Sequence, residues 1–267
     1  MAKSNYYYQE TVLKQPDKYD TVRKRIIELF EENRSYYGYR RIHQQLKRLG
    51  ITVSEKIVRS VMKSEHLPVV SKRIKKYSSY KGEITPEVEN VINRNFHAEQ
   101  PNTKWLTDIM EFSIPAGKLY LSPIIDCFDG MVVKWNIGTT PDSILVNKML
   151  EEAISTLSPS ERPLIHTDRG CHYRWSGWIK RMETAGLTRS MSNKGCSPDN
   201  AACEGFFGRL KNEMFYGRSW IGVAIDDFIN EINSYIEWYN TKRIKQSLGY
   251  MSPVEYYSPT FFAYFLL

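Results

Sequence analysis

The chain has no apolar run approaching the roughly 20 residues that a membrane-crossing helix needs. Its first ten residues, MAKSNYYYQE, contain no apolar signal-peptide core. Neither a membrane partner nor a secretory leader is therefore expected. Cysteine is scarce: Cys127, Cys171, Cys196 and Cys203 are all there are, and none is spaced as CxxC. That argues against a disulfide framework and a zinc cluster, and makes a reducing, cytoplasmic setting the simplest one. Sustained heptads are missing too, so no coiled coil is expected.

What is present is a chain of 267 residues, 42% hydrophobic and 13% aromatic, enough for one large or two modest cores. Charge is uneven. Residues 1–80 contain 18 Lys/Arg against 8 Asp/Glu, whereas residues 81–267 contain 19 against 22. A basic first third on a slightly acidic body is what a polyanion-binding module would give, and equally a solvated basic surface.

The apolar spacing predicts helices over Asp20–Asn33, Tyr39–Leu49 and from Ser54 to about Glu65. The second is anchored by Ile42, Leu46 and Leu49 and stopped by Gly50, and Ser54 is placed to cap the third. Two helices across a tight glycine turn, with a helix in front, describe a helix-turn-helix unit. Arg40, Arg41, Lys47, Lys56, Arg59 and Lys63 would supply phosphate contacts, the alternative being a small bundle used for protein contact. Ser71–Gly82 reads as a basic linker, and Glu83–Phe96 as a connecting helix.

From Lys104 the pattern changes. Trp105–Phe112, Lys118–Cys127 and Met131–Ile137 predict a three-stranded meander, with Pro123 implying an edge position or a bulge. Helices are expected over Ser143–Leu157, Trp175–Ala185, Pro198–Met214 and Ile225–Tyr239, with short strands at Pro163–His166 and Leu187–Ser190. The fold class is α/β (α+β), a mixed sheet flanked by helices behind a small all-α domain. The expected divisions are 1–70 (helix-turn-helix), 71–100 (linker and connecting helix), 101–221 (mixed-sheet core) and 222–267 (carboxy-terminal helix and tail).

Three acidic residues occupy distinctive settings: Asp108 mid-strand in WLTDI, Asp168 just after an apolar strand in HTDRG, and Glu204 on a helix in DNAACEGFF. Thirty-five residues separate Asp168 from Glu204. Carboxylates converging from separate elements are what divalent metal ions need in order to activate one oxygen and shield another. Asp126 also ends a strand and competes as a member, but is read as structural. His166 is read as a strand residue and His172 as a substrate-side neighbour.

The ordered set WLTDI, HTDRGCHY, DNAACEGFFGRLKNE and YNTKRIKQSLGYMSPVEY, with YYGYRRIHQQLKRLG before it, resembles the transposases of the insertion-sequence-three family. The resemblance spans about Tyr36 to Tyr256. It implies a ribonuclease-H-like core of the retroviral-integrase type, with Asp108, Asp168 and Glu204 as catalytic, metal-binding triad. It implies two Mg2+ (or Mn2+) ions per active site, and cleavage and joining of DNA at the terminal inverted repeats of a mobile element. Arg169, Asn200, Lys211, Arg243 and Lys245 would then touch DNA, or else be solvated or capping groups. A homo-oligomer, at least a dimer on DNA, is expected, with the upstream reading-frame product as a further partner. The rival reading is a DNA-binding regulator with an inert core.

Overall fold

The computed structural model describes residues 18–68, 88–193 and 196–257. The chain divides into two compact units, 1–70 and 71–267. The linker expected at Ser71–Gly82 and the apolar tail Ser258–Leu267 lie outside the described residues.

In the first unit, α1 (Asp20–Glu32), α2 (Tyr39–Arg48) and α3 (Glu55–Ser64) close over Ile26, Leu29, Phe30, Tyr37, Ile42, Leu46, Val58 and Met62. Gly50 takes φ +76°, a left-handed conformation that ends α2 at little cost for a residue without Cβ. Ser54 Oγ accepts the Ile57 amide at the start of α3. Leu49 does not anchor α2 as expected. The helix ends at Arg48, so Leu49 falls past the periodic stripe and is 50% exposed.

The second unit is built on a six-stranded sheet: β1 (Lys104–Thr107), β2 (Met110–Ile114), β3 (Gly117–Asp126), β4 (Val132–Gly138), β5 (Leu164–Thr167) and β6 (Thr188–Met191). β1 and β2 pair with successive parts of β3, which carries β4 along its other flank. β5 then lies parallel to β1, and β6 parallel to β5. Trp105, Ile124 and Ile165 pack against α4 (Ser143–Ile154) and α5 (Ser176–Thr184) through Val146, Met149, Leu150, Trp178 and Met182. Beyond these come α6 (Ala201–Leu210), α7 (Ile225–Thr241) and the short α8 (Pro253–Tyr257). Phe112 of β2 meets Phe228 of α7 edge-on at 5.2–5.4 Å together with Phe215. Asn240 of α7 brackets the Val132 backbone, accepting its N–H (3.0 Å) and donating to its carbonyl (2.9 Å).

Two expectations need correction. Residues 88–96 are not helical: Asn93 and Arg94 take positive φ (41° and 62°), and Asn90 Oδ1 accepts the Asn93 amide in a tight turn. The expected helix Pro198–Met214 has three parts, a 3-10 turn Ser197–Asn200, then α6, then a π turn Lys211–Phe215. Of the edge position or bulge expected at Pro123, the second is found: Pro123 lies in a central strand, and a bulge in the pairing with β4 falls beside it at Ile124/Ile125.

Candidate active site

Pro123 also explains the strand break that sets Asp108. Trp105–Phe112 is not one strand: pairing with β3 runs Thr107 opposite Ile124 and resumes at Met110 opposite Leu121. The common register places Asp108 opposite Pro123. Cys127 N–H donates to the Lys104 carbonyl, so by two-residue alternation the Pro123 nitrogen also faces β1–β2, where it has no hydrogen to give. The ladder lapses there. Asp108 thus lies just past the end of β1, not mid-strand, and its Oδ1 accepts the amide of Ile109 at 2.7 Å.

Asp168 occupies the matching place one strand over. Thr107 pairs with Thr167 in the parallel β1–β5 ladder, and each is followed by its aspartate. Adjacent strands lie about 4.8 Å apart and residues at one register share a face. Trp105 and Ile165 face α4 and α5. By the same alternation Leu106 and His166, then Asp108 and Asp168, fall on the opposite face, beside α6. Asp168 Oδ1 accepts the Gly170 amide at 2.9 Å. A Cβ on Gly170 would sit 2.9 Å from that same oxygen, so this position has no room for a side chain.

Both carboxylates are half-buried, and both hold their protons more tightly than usual. Burial, then the charge of Asp168, pushes Asp108 up to about 7, against the opposing hydrogen bonds of Ile109 and Asn200. Burial also raises Asp168, opposed by the Gly170 amide and by the charges of His172 and Arg174. Glu204 stands apart. It is exposed in the first turn of α6 and acts on Asp108 only as the least of these repulsions. Among the described residues no three His, Cys, Asp or Glu side chains converge as a metal-holding group.

Asn200 is placed differently from the expected DNA contact. It is 7% exposed, its Nδ2 donates to Asp108 Oδ2 at 2.8 Å, and its Oδ1 is buried without a hydrogen-bond partner. Arg243 and Lys245 are likewise turned inward. Arg243 is 3% exposed and grips Glu213 through Nε (2.8 Å) and Nη2 (2.5 Å). Lys245 Nζ donates to the carbonyls of Asp129 (2.7 Å) and Gly130 (3.0 Å). Lys211 is half-buried, with its Nζ 5.8 Å from the Phe112 ring centroid. Arg169 is partly exposed beside Asp168.

Asp126 is a structural acid. Its oxygens accept the amides of Asn102 (2.7 Å) and Phe128 (2.8 Å) and the Trp105 indole N–H (3.3 Å). His166 is fully buried, held by Ser190 Oγ (2.8 Å) and the Asp199 carbonyl (2.9 Å). His172 stacks edge-on to Trp175 at 4.7 Å and feels the charge of Asp168. Sequence reasoning overlooked Asp199 and Gly170, although both stand inside the motifs quoted above.

In the first unit, Arg40, Lys47, Lys56, Arg59 and Lys63 are exposed and Arg41 partly so. The guanidinium groups of Arg40 and Arg59 both lie over the Tyr39 ring, at 5.7 and 5.6 Å, which draws the start of α2 and the middle of α3 into one basic surface.

Comparison with known proteins agrees with this architecture. Two integrase core domain families match residues 98–197 and 204–261, and an HTH-like domain matches 18–77. The chain is 58% identical to a probable transposase for insertion sequence element IS1353 of Shigella flexneri, over 96% of this chain and 50% of that protein. It thus spans half the length of that relative. It is 40% identical to the putative transposase InsK for insertion sequence element IS150 of Escherichia coli K12, over 98% of this chain and 91% of the relative. Among solved structures, the simian T-cell lymphotropic virus intasome, in complex with a PP2A regulatory subunit, contains a similar fold. There the TM-score is 0.52 at 16% identity, over 88% of this chain and 75% of that one. The chain belongs to the insertion-sequence-three family of transposases, with an HTH-like unit ahead of an integrase core of ribonuclease-H-like fold.

Proposed function

We propose that this chain is a DNA transposase that cleaves and joins the ends of an insertion sequence by metal-dependent phosphoryl transfer. The observation that carries the reading is the parallel β1–β5 register, which sets Asp108 and Asp168 side by side at the ends of adjacent strands. Mg2+ or Mn2+ would be held by Asp108 and Asp168, with Glu204 completing the triad from α6. Hard carboxylate oxygens fit these ions, and the unpartnered Asn200 Oδ1 adds another oxygen beside Asp108. When bound, two such ions would activate the attacking hydroxyl and offset charge on the departing 3′-oxygen.

The chain's own residues prepare that centre. Asn200 and the Ile109 amide orient Asp108, and the Gly170 amide orients Asp168. Arg169 and Lys211 would hold phosphates of the DNA backbone. Arg40, Arg41, Lys56, Arg59 and Lys63 would bind the terminal repeats through phosphates, releasing counterions. Because two ends must be cut and joined together, the working form is a homo-oligomer on DNA, at least a dimer.

The test is a labelled DNA carrying candidate inverted repeats, incubated with the protein and Mg2+ or Mn2+. Metal-dependent joined products are expected. Hydrolysis without joining would indicate a nuclease, and binding without any cleavage a regulator.

A further inference from the structure

We propose that Arg94 and Asp199 form a latch that positions Asn200, and through it Asp108, so that residues 88–97 help to set up the active site. The inference rests on the transposase reading only in assigning Asp108 to metal.

Residues 88–97 are the first described stretch after 69–87, and they clip onto the outer edge of the sheet. Ser190 Oγ of β6 accepts the amides of Val91 (3.0 Å) and Ile92 (3.3 Å), and the Glu89 carbonyl accepts the Met191 amide (3.2 Å). From this clip two side chains reach the loop ahead of α6. Arg94 Nε donates to Asp199 Oδ1 at 2.7 Å and Asn90 Nδ2 donates to Oδ2 at 2.8 Å. The Asn193 amide (3.0 Å) and Cys196 Sγ (3.4 Å) add to the same carboxylate, and Arg94 Nη2 also meets that sulfur at 3.0 Å. His166 of β5 holds the Asp199 carbonyl from below at 2.9 Å. The Asp199 side chain is 1% exposed, and its carboxyl is drawn down to about 2, chiefly by Arg94.

The next residue is Asn200. It stands at the start of α6 without a side-chain cap, and its amide nitrogen donates to Asp108 Oδ2. With its Oδ1 unpartnered, that amide is aimed by the backbone at 199–200 and not by a second bond of its own. The backbone there is what Asp199 fixes. A connected path therefore runs from Arg94 to the Asp199 carboxylate, along the 199–200 backbone, and from the Asn200 amide to Asp108. Arg94 is a positioning residue and does not itself reach the reacting atoms.

The test uses the full chain and the variants Arg94→Ala, Arg94→Lys, Asn200→Ala and Arg94→Ala/Asn200→Ala. Mn2+ affinity is read by calorimetry, and kcat and KM by DNA joining. Groups that orient a metal-binding carboxylate change affinity or activity by about 10- to 100-fold when lost. Arg94→Ala should lose that much in Mn2+ affinity and kcat at unchanged KM for DNA, and Arg94→Lys should recover part. The double variant should be no worse than Asn200→Ala alone, since both cut one chain. Wild-type Mn2+ affinity and kcat in Arg94→Ala, or losses that multiply in the double variant, would overturn the latch. Should Arg94→Ala prove unstable, Asp199→Asn, which keeps the volume and removes the charge, must give the same non-additivity with Asn200→Ala or the latch fails. A wild-type protein that joins no DNA would sink the transposase reading, while the Mn2+ arm would still decide the latch.

Discussion

Two charged regions of the second unit came from equally conspicuous sequence motifs and are opposite in character. Around Glu213 and Arg243 the buried charges are answered within the chain. Arg243 grips Glu213 with two nitrogens, Tyr235 OH donates to Glu213 at 2.8 Å, and Lys245 lies 4.6 Å over the Tyr239 ring. At the ends of β1 and β5, by contrast, Asp108 and Asp168 receive hydrogen bonds from neutral donors and repel each other, with the charges of His172 and Arg174 set against Asp168. A charge already satisfied inside the fold is unavailable to an outside partner without breaking what holds it. A surplus of one sign, half-open to solvent, is a place where something of opposite sign can be added.

The largest effect expected from this contrast is loss of chemistry. Asp108→Asn, Asp168→Asn and Glu204→Gln should each reduce cleavage and joining to background while circular dichroism and DNA binding stay near wild type. Near-normal turnover in any of them would remove that residue from the centre. On the compensated side the expected loss is of stability. Arg243→Ala strands a nearly buried Glu213 and should cost about 3–5 kcal/mol by denaturant unfolding, with DNA affinity of the folded protein unchanged. Weakened DNA binding at unchanged stability would make Arg243 a DNA contact instead.

The contrast also has a pH signature. Asp108 is raised from an ordinary 3.8 to about 7, so between those values the folded chain keeps a proton that the unfolded chain gives up. This group alone should make the metal-free protein less stable as pH rises from about 4 through 7. Asp129, pushed up to about 6 by burial, acts in the same direction. His166 and His172, both lowered by burial, act in the opposite direction, so the Asp108 share is read by difference: without metal, Asp108→Asn should gain in midpoint relative to the wild type as pH rises from 5 to 8. An identical pH slope in the wild type and Asp108→Asn would contradict the repulsion. The smallest expected effect is in the first unit: Lys56→Ala or Lys63→Ala should lower the salt dependence of DNA binding by about one counterion each. An unchanged slope would point to protein contact.

Much of this was legible in the sequence because it rests on local signals. The helix periods, the Ser54 cap, the Gly50 stop and the short apolar strand that ends just ahead of Asp168 all depend on neighbours close in the chain. What escaped depends on long-range contacts. Asp108 sits at a strand break because Pro123 falls opposite it, a fact of register. Arg243 and Asn200 look like phosphate ligands until Glu213 and Asp108 are brought against them. Residues 88–96 have a helix-like pattern whose polar groups find partners on β6 and ahead of α6 instead.

Most depends on whether the Asp108–Asp168 pair takes up a divalent cation. Mn2+ binding by calorimetry at neutral pH, wild type against Asp108→Asn and Asp168→Asn, measures that without DNA or turnover. Saturable Mn2+ uptake by the wild type and its loss in both variants is the predicted result. Equal uptake by all three proteins, or none by the wild type, would contradict it.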